Sequence, residues 1–254
     1  MKLTLNDFFQ LTKIRLALSV VFSSLAGYFL AAESINIRSI LLLFVGGYAM
    51  VGASNAFNQL IERDRDSLMN RTSDRPLPRK RISPSQALFI GIFLSALGIG
   101  TLYLINLKTA IIGIISICLY VFTYTPLKIK TPLSVFVGAI PGAIPYMLGW
   151  VAYTNNFGIE PGILFLFQFF WQFPHFWALA WMFDKDYKKA GFKMLPTGKT
   201  DNASAFQVVF YSCWTVAISL LPMTKYTGDL NLTPFGGTLV FTCGLGLLFF
   251  AFKL

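Results

Sequence analysis

Charge is scarce in this sequence. Asp, Glu, Lys and Arg make up 13% of its 254 residues, about half of the roughly 25% carried by soluble domains. That shortage excludes a water-soluble enzyme of ordinary composition, and equally a disordered chain. Acids are rarer than bases, 11 against 21, and there is a single histidine. The net charge of +10 is no sign of a nucleic-acid partner. The basic residues stand in short loops between apolar runs, where they set membrane topology rather than bind a polyanion. Cysteine is limited to Cys118, Cys213 and Cys243, with no CxxC spacing. The three read as small buried hydrophobes and say nothing about redox compartment. Period-two alternation is absent too, which excludes a membrane β-barrel.

What the chain has in abundance is apolar sequence: 55% hydrophobic residues and a mean hydropathy of +0.62. One bilayer crossing takes about 20 apolar residues. Continuous apolar runs near 16–32, 39–61, 86–105, 109–124, 134–153, 161–183, 204–222 and 235–252 predict eight transmembrane helices. The expected architecture is an all-α polytopic bundle, one integral-membrane domain over 1–254. The first run is not a cleaved signal, because Lys13 and Arg15 come late and no A-x-A site follows. If alternate loops share a side, all the basic residues except Arg38, Lys108 and Lys225 fall together with both chain ends. The positive-inside rule makes that side cytoplasmic. Asp7, Glu62, Asp64, Asp66, Asp74, Asp184, Asp186 and Asp201 lie there as well. Asp66 and Asp186 are four helices apart, which predicts two four-helix halves around a central cavity open to the cytoplasmic side.

The first acidic cluster closes the second helix. Asn58, Glu62 and Asp66 follow at i, i+4 and i+8, within about 80° on one stripe of a helix. Asn55 can extend the stripe, whereas Asp64 points elsewhere. Oxygen donors in that array suit a hard cation such as Mg2+, which binds through few carboxylates plus substrate phosphates. Arg71 and Arg75 come next, and guanidinium forks beside acids are the parts needed to grip a diphosphate. Arg79, Lys80 and Arg81 read as a solvated loop.

The second cluster closes the sixth helix, in F-F-W-Q-F-P-H-F-W-A-L-A-W-M-F-D-K-D-Y. His175 stands among Trp171, Phe173, Phe176 and Trp177. A titratable group within a span is costly, which favours a functional role over packing. On an unbroken helix Asp186 shares the His175 face within about 20°, and Asp184 faces away. Lys185 and Lys188 could meet phosphate oxygens or simply snorkel. Between the clusters, Tyr124-Thr-Pro-Leu-Lys128 closes the fourth helix. Then G-A-I-P-G-A-I-P spaces Gly138 and Gly142, and Pro141 and Pro145, by four residues, as close packing or a pocket-lining broken helix requires.

These motifs resemble the UbiA superfamily of intramembrane prenyltransferases. Its signature, Asn-x3-acid-x3-Asp-x2-Met-x-Arg-Thr-x2-Arg, is met by Asn58, Glu62, Asp66, Met69, Arg71, Thr72 and Arg75. Trp171-Gln-x-Pro-His175-Phe, Asp186-Tyr-x2-Ala-Gly-x2-Met-Leu-Pro196 and Tyr124-Thr-x2-Leu-Lys128 are similar to the branch that farnesylates haem. The resemblance implies transfer of a farnesyl group from farnesyl diphosphate to a vinyl carbon of haem B, with Mg2+ as cofactor. It implies Asn58, Glu62, Asp66 and Asp186 at metal and diphosphate, and Arg71, Arg75, Lys128 and Lys185 as phosphate contacts. His175, Trp171 and Tyr124 fall to the acceptor, with His175 a haem contact, axial ligand or proton carrier. It further implies a bacterial inner membrane, and haem A synthase or oxidase assembly factors as partners. The sequence departs from the family at Ile14, Arg65 and Lys80, and Lys185 stands where a second acid is usual. Eight helices are counted where the family has nine, so the last is expected to be absent. A prenyltransferase acting on an aromatic quinone precursor shares the acid motif. A secondary transporter would carry its polar groups at the midplane rather than at helix ends.

Overall fold

The computed structural model describes residues 3–254. Lys2, one of the basic residues assigned to the N-terminal side, lies outside them. A short helix α1 (Leu5–Thr12) precedes α2 (Ile14–Ala31), α3 (Ile37–Asp66), α4 (Pro84–Tyr103) and α5 (Leu107–Cys118). A π-helical turn, Leu119–Tyr124, carries α5 into one further turn, α6 (Thr125–Leu127). Then follow α7 (Ser134–Thr154), α8 (Ile159–Met182), α9 (Asp184–Lys189), α10 (Asn202–Ser219) and α11 (Pro234–Phe252). No strand occurs among the described residues. Eight of these segments are long and apolar enough to cross a membrane, matching the eight expected runs within a few residues. The protein is a multi-pass membrane protein.

Capping residues fix where the spans begin. The side chains of Asn36, Ser83, Asn106, Asp201 and Thr233 each accept a backbone N–H in the first turn of the helix that follows. Ser83 and Gln86 do so reciprocally, with Pro84 opening α4.

The bundle is organised around α7, with 61% of its apolar window buried against 17% for α11. Neither Pro141 nor Pro145 breaks it. Gly149 lies against the backbone of Ser24, and Gly27 against that of Tyr146, so α2 and α7 meet main chain to main chain. A Cβ at either position would have no room. The outer faces are apolar, with Phe22, Phe89, Phe122 and Phe249 exposed, as lipid contact demands. That corrects the reading of the cysteines: Cys118, Cys213 and Cys243 are all exposed. An apolar environment surrounds a membrane bundle on its outside as well as within it.

The second helix runs on beyond its apolar run to Asp66, so Glu62 and Asp66 stand on regular helix as the stripe requires. One further expectation needs correction. The sixth helix is not continuous into the second acidic cluster. It stops at Phe183 (φ −108°, ψ 20°) and restarts as α9. The shared helical phase predicted for His175 and Asp186 therefore does not exist.

Candidate active site

Three oxygen-bearing side chains of α3, Asn58, Glu62 and Asp66, are buried along one stripe, while Asp64 is exposed. Each buried group meets a different partner. Asn58 Nδ2 donates to Thr125 Oγ1 at 3.2 Å. Glu62 Oε1 lies 2.5 Å from Lys128 Nζ, and Asp66 Oδ2 accepts from Arg75 at 2.7 Å. The second carboxylate oxygen of Asp66, Oδ1, is buried with no hydrogen-bond partner. A buried carboxylate oxygen left bare is costly, and it is where a cation would be received. Asn55 does not extend the stripe. Its amide donates to the carbonyl of Thr12, and that of Gln59 to those of Gln10 and Leu11. These bonds cap the end of α1, whose last carbonyls have no intrahelical partner.

The π-turn brings the fourth span into the site. Pro126 has no N–H to give to the preceding turn, and Thr125 Oγ1 donates instead to the carbonyl of Tyr120 at 2.8 Å. This local widening directs Tyr124, Thr125 and Lys128 toward α3; π-turns are frequent at functional sites. Gly138 of α7 makes room for it, since a Cβ there would stand 2.6 Å from the Tyr124 ring. Gly142 faces the Gln172 side chain, which donates to the Gly142 carbonyl at 3.1 Å. Burial opposes the charge on Lys128, but Glu62 outweighs it and raises the lysine pKa above its usual value.

Residues of the second half close over the same end. Asp186 Oδ2 accepts the backbone N–H of Arg71 at 3.2 Å, and the Arg71 guanidinium lies over the rings of Phe183 and Tyr187. Partial burial works against ionised Asp186, yet the N–H groups of Arg71 and Asn70, with Lys189, lower its pKa. Arg65 donates to the carbonyl of Ala190 at 2.6 Å, and the N–H of Lys193 to that of Lys128 at 2.7 Å. Lys185 is exposed and lines a cleft of about 550 Å3 with Asn70, Trp181 and Asp186. Asp186 thus anchors the Arg71 loop. Among the described residues no three carboxylate, imidazole or thiol groups converge closely enough to hold one ion.

His175 is exposed and stacks on Trp171, centroids 4.6 Å apart and planes within 14°. Its nitrogens make no hydrogen bond among the described residues. The His175 ring touches Phe176, Phe176 touches Tyr124, and Tyr124 lies 4.8 Å below the Lys128 ammonium. This run of rings joins His175 to the acid–cation pairs. Sequence reasoning did not find Thr125, Tyr187 or Asn70. The Thr-Pro step after an aromatic run was the available sign for Thr125.

The UbiA prenyltransferase family profile matches residues 20–254. The chain belongs to this family. Proteins called protoheme IX farnesyltransferase are similar to it over nearly its full length. That of Christiangramia forsetii is 59% identical over 98% of this chain and 83% of its own length. That of Flavobacterium psychrophilum is 58% identical, covering 98% and 84%. Among solved structures, a digeranylgeranylglyceryl phosphate synthase superposes with a TM-score of 0.79 at 21% identity, covering 98% of this chain and 87% of that one. A UbiA homologue from Archaeoglobus fulgidus, bound to GPP and Mg2+, gives 0.76 at 19% identity, covering 96% and 86%. The UbiA fold is therefore established for this bundle.

Proposed function

We propose that this UbiA-family protein transfers the farnesyl group of farnesyl diphosphate to a vinyl group of haem B. The C1–O bond of the donor breaks and diphosphate leaves. C1 bonds to the terminal vinyl carbon, water adds its oxygen to the adjacent carbon, and the remaining proton is released. The observation that carries the reading is the pair of buried ion pairs, Lys128–Glu62 and Arg75–Asp66, beside a bare carboxylate oxygen. The near-full-length likeness to protoheme IX farnesyltransferases supplies the substrates.

In the ligand-free protein the cations neutralise the acids. Glu62, Asp66 and Asn58 would hold Mg2+, and Arg75, Lys128 and Arg71 would hold phosphate oxygens. A divalent ion there would supply positive charge for the departing diphosphate, the largest electrostatic demand of an allylic ionisation. The bare Asp66 oxygen fits that role, and two carboxylates suffice when substrate oxygens complete the shell. Lys185 and the Asp186-anchored loop border the entrance. Tyr124 and Phe176 present π-faces that stabilise positive charge. His175, with free nitrogens against Trp171, contacts the haem. The charge bias supports an orientation with this end of the bundle and both chain ends facing the cytoplasm, and the bacterial relatives support an inner-membrane location.

The test is mass spectrometry of products from protein in nanodiscs given farnesyl diphosphate with haem B or 4-hydroxybenzoate, with and without Mg2+. Farnesylated haem formed only with Mg2+ is the expected result. Prenylated 4-hydroxybenzoate in its place would move the protein to another branch of the family.

A further inference from the structure

Lys13 joins α1 to α2 in the left-handed region, φ 50° and ψ 60°, a conformation that costs a lysine energy and suits glycine or asparagine. Such strain persists only where surroundings enforce it and concentrates at functional sites. Here the enforcement is visible. The buried amides of Asn55 and Gln59 hold the carbonyls of the three residues before Lys13, and its own N–H donates to the carbonyl of Phe9. Lys80 shares the left-handed backbone but lies exposed in a loop.

The Lys13 ammonium is drawn into the site by that corner. It is coupled electrostatically to Arg75, Lys128, Glu62 and Asp66. Both acids already have a cation of their own, so Lys13 is the third cation beside two acids. It makes no ion pair or side-chain hydrogen bond among the described residues. An unpaired cation among cations awaits an anion.

We propose that Lys13 binds a phosphoryl oxygen of the prenyl diphosphate, contributing from the α1–α2 corner a contact separate from Arg71, Arg75 and Lys128. This rests on the prenyl-donor reading above but not on haem as acceptor. The test uses the full chain in nanodiscs, with Mg2+ and farnesyl thiodiphosphate, an analogue that resists ionisation, and farnesol as the uncharged control. Lys13→Gly relieves the backbone and so keeps the fold. It should weaken thiodiphosphate binding tenfold or more, while Lys13→Arg stays within threefold of the parent and farnesol binding is unchanged in both. Thiodiphosphate affinity within twofold of the parent in Lys13→Gly overturns the proposal, as does a parallel loss of farnesol binding. Intact thiodiphosphate binding without farnesylated haem in the product assay removes the acceptor assignment and leaves the Lys13 contact standing.

Discussion

Glu62 and Lys128 are buried as a pair, with side chains 6% and 10% exposed. Removing one partner of such a pair strands the other charge, at a cost of about 3–5 kcal/mol, whereas replacing both together is often near neutral. Glu62→Gln should therefore lower the unfolding temperature in detergent, and Glu62→Gln with Lys128→Met should recover it. Haem farnesylation should stay at least 100-fold down in both, because restored packing does not restore the groups proposed to meet metal and phosphate. Turnover returning with stability in the double variant would make the pair structural. Asp66→Asn is the complementary change. Its amide oxygen can still accept from Arg75, so the protein should insert and fold, yet product formation should fall at least 100-fold. Full activity in that variant would remove Asp66 from the reaction.

Elements decide how these residues meet, and here the sequence was legible unevenly. The stripe of α3 could be read from spacing because a regular helix makes spacing equal to direction. The His175–Asp186 relation could not, because the break at Phe183 arises from tertiary contacts of α9 with the Arg71 loop rather than from any breaker in the sequence. The left-handed corner at Lys13 was hidden for the same reason: nothing about lysine announces it, and the amides that hold it come from α3. The Gly138 spacing had two readings, and the structure supports packing with a consequence for the site. Gly138→Ala should force the Tyr124 ring and the π-turn aside, an overpacking cost of about 1–3 kcal/mol. Its unfolding temperature should drop and its KM for farnesyl diphosphate should rise; an unchanged KM would show that the π-turn does not position Lys128. The strap α1 carries its own pH dependence. Hydrogen bonds from Thr4 and Arg81 lower the pKa of Asp7 below its ordinary 3.8. A lowered carboxylate stabilises the fold fully above the ordinary value, and that stabilisation fades as pH falls through the folded one. Hydrogen exchange of residues 5–12 should accordingly speed up, relative to α7, between pH 5 and about 3, and Asp7→Asn should show the faster rate already at pH 5.

At the scale of the whole molecule, loops that sequence alone could only assign to sides are tied together in space. At one end Arg81 reaches Asp7, Arg71 meets Asp186, and Lys193 meets Lys128. At the other, Tyr153 receives the N–H groups of Glu33 and Ser34, Lys108 donates to the carbonyl of Asn155, and the N–H of Asp229 donates to Glu160. The two sets are the two loop groups expected from alternation, and the first is the basic one. Moving lysines and arginines across the bilayer is opposed by the insertion machinery, so the basic end should stay inside. With Cys118, Cys213 and Cys243 replaced by alanine, single cysteines at Ser73 and Asn156, both in loops, can report this. In intact spheroplasts a membrane-impermeant maleimide should label Asn156→Cys at once and Ser73→Cys only after permeabilisation. The reverse pattern would place the acid–cation pairs on the outer face, away from a cytoplasmic supply of prenyl diphosphate.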